Sequence, residues 1–166
     1  MKRLLSVFCL LCAFVTVSLA QTPIKFSFWG DRAYPYDNSV HGLELGVGTY
    51  TPELVGVCWN FIYAKTDNAK GWQHGLLTIS KQFTGAQTGI LNISKTFEGF
   101  SWGGINWNEG DVSGVQCGVF NIARSVKGAQ FGFLNMTENM HGIQIGLLNF
   151  IKTSKVPVMV IFNAKF

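Results

Sequence analysis

From residue 42 onward, apolar and polar positions recur on a cycle of 14 residues, far longer than the period of a helix face or a single strand. "GAQTGILNISKTFE" fills 85–98, and two near-copies, "GVQCGVFNIARSVK" and "GAQFGFLNMTENMH", fill 114–141. Within each cycle an apolar pair precedes an Asn, as in Ile90-Leu91, Val119-Phe120, Phe133-Leu134 and Leu147-Leu148. One apolar residue follows the Asn, as at Ile93, Trp107 and Ile122, and another comes late, as at Phe83, Phe97 and Val126. Short polar stretches such as "SKQ", "SKT" and "ARS" separate these groups, and the two longer units carry their extra residue there, in "KTDNAK" and "NEGDVS". A segment that tolerates insertion reads as a surface turn.

The repeat has a fixed register. Units start at Gly42, Gly56, Gly71, Gly85, Gly99, Gly114, Gly128 and Gly142, in steps of 14 or 15 residues. Position five is Gly46, Gly75, Gly89, Gly103, Gly118, Gly132 and Gly146, with Asn60 the exception. Gln73, Gln87, Gln116, Gln130 and Gln144 hold position three, and Asn92, Asn106, Asn121, Asn135 and Asn149 hold position eight. The chain therefore divides into residues 1–20, an N-terminal strand and cap over 21–41, eight units over 42–155, and a segment 156–166. That last segment reads as a degenerate ninth unit, with Asn163 at the Asn position, and as a capping strand.

Gly, aromatic and β-branched residues are abundant and 3.6-residue periodicity is missing, so the fold class is all-β. Two architectures use a strand-and-turn unit of this length. An antiparallel barrel repeats naturally every two strands, whereas a parallel solenoid repeats every coil. A period of 14 without odd-even alternation predicts a parallel β-solenoid, or β-roll, of about eight 14-residue coils. Gln and Asn stacked about 4.8 Å apart can then bond along the stack as amide ladders, and Gly at corners permits positive φ. The alternative is an outer-membrane-type barrel. Its support is the terminal "VPVMVIFNAKF", which alternates to a final aromatic, and "GIQIGLL", which alternates as a membrane strand would.

The first 20 residues have the anatomy of a secretory signal peptide: Lys2 and Arg3, an apolar stretch, then Ser18-Leu19-Ala20. Its removal takes the net charge from +4 to +2, too little for a nucleic-acid footprint. Cys58 and Cys117 remain. Four coils separate them by roughly 19 Å of stacking rise, against about 7 Å for a disulfide, so both are expected as free, buried thiols.

The chain contains no HExxH, Walker loop or GxGxxG. His41, His74 and His141 lack metal-ligand spacing, and "GGINWNEGD" only faintly echoes calcium-binding β-rolls, because Glu109 and Asp111 have no counterparts at the same phase. No catalytic, cofactor or metal site is expected. "NIS" at 92 and "NMT" at 135 match a glycosylation pattern, which the ladder Asn explains without glycans. Trp59, Trp72 and Trp102 stand at the second or fourth position of their units. A thin roll cannot point all of positions two, four, six, seven, nine and thirteen inward. An exposed apolar stripe is therefore expected, suited to a membrane surface or a protein partner.

"GIQIGLLNF", "GAQFGFLNM" and "GVQCGVFNI" resemble the Gly-x-Gln-x-Gly-aliphatic-aliphatic-Asn units of a bacterial surface-repeat family, described from spirochaetes and found in many Gram-negative envelopes. "IKFSFWG", 24–30, is similar to the strand preceding the array in that family. The resemblance covers 24–163. It implies an exported protein of the outer membrane or cell surface and carries over no catalytic residue. Asn60, Cys58 and Ser101 depart from the pattern, so units two and five are expected to be distorted. The functional expectation is a non-enzymatic envelope repeat protein, a structural scaffold or adhesive surface. The alternative is a small outer-membrane barrel acting as pore or anchor.

Overall fold

The structure, a computed structural model, describes residues 22–166; the signal peptide expected over 1–20 lies outside them. Each unit turns on its first residue. The eight unit-starting glycines have φ between +129° and +152°, where side-chain-bearing residues are rarely found. The chain swings round there and returns over the coil before it. Nearly every backbone group meets the neighbouring coil, so strand geometry runs through the corners.

The elements are β1 (Thr22–Trp29), β2 (Arg32–Tyr34), β3 (Ser39–His74), β4 (Leu77–Ile151) and β5 (Val158–Lys165), in the order β2-β1-β3-β4-β5. Like residues lie on like: Gly71 pairs with Gly85 and Gln73 with Gln87, all in parallel register. β1 stacks parallel beneath the first coil, with Ile24 opposite Leu43 and Ser27 opposite Gly46. The protein is an all-β, mostly parallel solenoid with coils of about 14 residues.

Two expectations are corrected. A barrel requires successive array strands to alternate in direction, and here they do not. Among the described residues, the antiparallel pairings between elements are β1 with β2 and β5 with the last coil. The degenerate ninth unit is the second. Val158–Lys165 runs antiparallel to the last coil, with Asn163 opposite Gln144 rather than over the Asn column. The reversal is made by the turn before it, where Ile151 N–H donates to Pro157 O at 2.8 Å and Ser154 N–H to Ile151 O at 3.1 Å.

The interior is largely polar. Positions three, eight, ten and thirteen point inward, giving buried columns of Gln, Asn, Ser/Thr and one apolar residue. The apolar column includes Leu54, Phe83, Phe97, Val112, Val126 and Met140, with the Phe83 and Phe97 rings stacked 5.8 Å apart. Position thirteen thus belongs to the core and not to the outer stripe.

The two glycines of the motif serve different ends. Position one needs its φ. Position five needs its missing side chain: a Cβ at Gly89 would meet the Gly75 carbonyl and lie 2.9 Å from Asn92 Oδ1. At Gly118 it would lie 2.7 Å from Asn106 Nδ2, and Gly132 and Gly146 are equally closed.

Gly89→Val is therefore expected to cost more than about 3 kcal/mol or abolish folding, while Lys95→Val, on the exposed edge, stays within about 0.5 kcal/mol. Urea unfolding of both variants checks this, and equal tolerance would show that position five has room.

Candidate interaction surface

The interior determines what is left for the surface. Each ladder Asn donates from Nδ2 to Oδ1 of the Asn in the next coil, with Asn92 to Asn106 at 2.8 Å, Asn106 to Asn121 at 2.7 Å, Asn121 to Asn135 at 2.8 Å and Asn135 to Asn149 at 2.8 Å. The same amides donate to backbone carbonyls of that next coil, as Asn121 does to Phe131 O at 2.8 Å. Those carbonyl partners fix which amide atom is nitrogen. Thr78 starts the column, its hydroxyl donating to Asn92 Oδ1 at 2.6 Å.

The Gln column points the other way. Gln144 Nε2 donates to Gln130 Oε1 at 2.7 Å, Gln130 to Gln116 at 2.8 Å, and Gln87 to Gln73 at 3.0 Å. Gln73 ends that series on the Ala64 carbonyl at 2.9 Å. The two columns of side-chain dipoles therefore oppose one another. The residues predicted to mark the repeat are thus gathered into two stacks: Gln87, Gln116, Gln130 and Gln144 in one, and Asn92, Asn121, Asn135 and Asn149 in the other. Gly85, Gly114, Gly128 and Gly142 stand at the corner beside them.

Unit five shows how a departure is absorbed. Ser101 is too short to continue the Gln column, and its hydroxyl bonds Asn106 Oδ1 at 2.6 Å instead. Position ten of the same unit is enlarged from Ser to Asn, so Asn108 accepts from Gln116 and donates to Ser94. In unit two, Asn60 at the Gly position turns inward and its Nδ2 lies 3.0 Å from Cys58 Sγ.

At the N-terminal end the ladder gives way to charge, a feature not identified from the sequence. Glu44 holds the Gln position of unit one and is fully buried; Lys25 of β1 lies 3.9 Å away and is also buried. Lys25 Nζ donates to Asp37 O at 2.8 Å and Thr51 Oγ1 at 2.9 Å, while Ser27 and Thr51 donate to Glu44 Oε1 at 2.7 and 2.9 Å. Cys58, at the Gln position of unit two, stacks over Glu44. Burial, then the Glu44 carboxylate, pushes its thiol well above the usual range. Repeat phase alone would have stacked Glu44 and Cys58; Lys25 lies before the array and carries no phase. A Lys, a carboxylate and a thiol together resemble catalytic apparatus, yet all three are closed off from solvent and the thiol is held protonated. The cluster is a polar plug for the end of the roll.

The outside is apolar where the inside is polar. At the apex, formed by positions six and seven, the eight pairs run from Val47-Gly48 through Gly104-Ile105 to Leu147-Leu148 without a charged side chain, and unit two adds Tyr63 there, opposite Leu77. Ile90, Phe133 and Leu147 there are 62%, 55% and 49% exposed. Trp59 and Trp102 at position four and Trp107 at position nine flank the apex on its two faces, all exposed. Trp59 packs edge-on against Trp72 at 5.1 Å and lies 4.6 Å from His74, whose Nδ1 is 2.9 Å from Thr88 Oγ1.

Charge begins on the flank, at position eleven, and continues to the opposite edge. Glu138 on that flank pairs with Lys152 at 3.1 Å and Arg124 at 4.0 Å, and Glu109 and Asp111 are exposed between it and the edge. His41 and His141 stand at that edge too, far from His74 in the coil, and His141 meets Phe166 at 6.0 Å. Asn92 and Asn135, the two potential glycan acceptors, are buried in the ladder. Cys117 was expected to be buried. It is half-exposed at position four, because that position faces outward; both cysteines are free.

Comparison with protein-family profiles, curated proteins and solved structures finds no match, so geometry carries the functional reading.

Lys25→Met strands the buried Glu44 carboxylate and is expected to cost about 3–5 kcal/mol in urea unfolding. Lys25→Met with Glu44→Gln, which restores the repeat residue, should recover most of that; a double variant as unstable as the single would contradict the plug. Thiol labelling of the native protein should modify Cys117 and spare Cys58 until it unfolds. Because the folded Cys58 thiol titrates high, its contribution to stability is present at neutral pH and is lost as pH rises past about 8.5, where the unfolded thiol ionises.

Proposed function

We propose that this chain is a non-enzymatic, exported envelope protein whose array serves as a scaffold and adhesive surface at the outer membrane or cell surface. The carrying observation is the inverted partition of side chains: polar groups satisfy one another inside, and the exposed apex is apolar through all eight units. Monomeric soluble proteins rarely expose contiguous apolar patches beyond a few hundred Å², and larger ones mark interaction sites. A surface repeated coil after coil suits binding by extent rather than by one pocket. The likeness of the repeat to the envelope surface-repeat family, and the leader expected over 1–20, point to the same compartment.

Expressed with its own leader in a Gram-negative host, the protein should remain with the envelope pellet through a high-salt wash and be released by detergent. Recovery wholly in the periplasm or medium would overturn the reading.

A further inference from the structure

The apex edge has the chemistry of a lipid-facing element, and we propose that it lies in the outer part of one membrane leaflet, holding the solenoid as a monotopic protein with its charged edge in water. This rests on the envelope reading above and names the partner of that surface as phospholipid.

Three observations favour lipid. The first is backbone satisfaction. An element entering the apolar layer must leave no N–H or C=O unpaired, which excludes ordinary loops. Here the apex backbone bonds from coil to coil: Ile90 and Leu91 N–H both donate to Leu76 O at 2.9 Å. The solenoid edge is a turn that carries its own hydrogen bonds.

The second is order by depth. Aliphatic and Phe side chains form the apex; Trp102 and Trp107 lie two to three residues from it on opposite faces. At about 3.3 Å per residue that offset is roughly 7 Å, comparable with the roughly 5–10 Å to which interfacial elements sink. Trp then falls at the headgroup level, where it is enriched in membrane proteins.

The third is charge. Position eleven, two residues beyond Trp107's row on the same flank, carries Lys81, Lys95, Arg124 and Lys152 against Asp67, Glu109 and Glu138. Three of the cations are paired with Asp67 or Glu138. That leaves a small excess of positive charge, with Lys95 its unpaired member, next to the headgroup layer, where it complements anionic lipid. A protein partner would meet a row in which Ile, Val, Phe and Leu alternate without a fixed shape. Lipid is indifferent to such exchange.

The test uses purified protein and phosphatidylcholine vesicles, with or without phosphatidylglycerol. Co-sedimentation is expected with both, more strongly with the anionic lipid, and lipids brominated on the acyl chain should quench Trp fluorescence. Ile90→Lys, Phe133→Lys and Leu147→Lys combined should weaken binding by at least about tenfold per substitution, with an unchanged circular dichroism spectrum. Lys95→Glu with Arg124→Glu should weaken binding to anionic vesicles alone.

Failure of the wild-type chain to bind vesicles, with its hold on the envelope intact, would overturn the lipid inference and leave the scaffold reading standing. Vesicle binding without envelope association would instead remove the scaffold reading. A dimer whose Trp fluorescence brominated lipid does not touch would overturn the proposal in favour of a second copy on the apex.

Discussion

An Asn side chain can bond to its counterpart in the next coil only when the two coils superpose, one strand spacing apart. Asn92, Asn106, Asn121, Asn135 and Asn149 do so in an unbroken series, and the other constraints of the structure follow. Superposition holds the unit near 14 residues and confines insertions to the turns, at the apex in unit two and towards the charged edge in unit five. The Asn column needs the space that Gly89, Gly118, Gly132 and Gly146 leave beside it. The return of the chain needs glycine at the opposite corner. A net hydrogen bond adds only about 0.5–1.5 kcal/mol, but an orphaned buried partner costs about 1–3 kcal/mol, so the ladder specifies register more than it adds raw stability.

The same constraint inverts the usual partition of side chains. With the inward positions of both faces occupied by Gln, Asn and Gly, one apolar column remains for the core, and the other apolar residues of the unit are left outside. The ends of the stack must be finished differently. Lys25 and Glu44 close one end with an ion pair. At the other, β5 lies across the last coil and sets Asn163 opposite Gln144. Gln144 Oε1 and Asn163 Nδ2 are an acceptor and a donor without other partners, on residues already in register. Rotation of one amide would complete the column.

Much of this was legible because the informative residues are repeated. Gly, Gln and Asn at fixed phase identify coil, ladder and period without any tertiary knowledge, and the inserted residue of "NEGDVS" marks the surface edge. The expectation that "KTDNAK" holds the other insertion is corrected: residues 64–70 pair with 78–84 without a break, so the extra residue of unit two lies before Ala64, at the apex, where the irregular Asn60 hid it. The direction of Val158–Lys165 was hidden, because alternation is the same in either direction and the turn before it decides. That position thirteen faces in while position four faces out could not be read from hydrophobicity, since both are apolar; Phe97 and Cys117 were separated only by the coil's cross-section. The Glu44–Cys58 stacking was implicit in the phase, yet those residues read there as blemishes in the repeat rather than as a cluster.

The most direct measurement of the central claim is hydrogen exchange of the side-chain carboxamides of Asn106, Asn121 and Asn135 by nuclear magnetic resonance. The account predicts Nδ2 protons protected to the same degree as the backbone amides of the array, because each nitrogen bonds both the next Asn and a backbone carbonyl. Exchange at the rate of a free carboxamide, with the backbone still protected, would show that the coils hold together without the ladders.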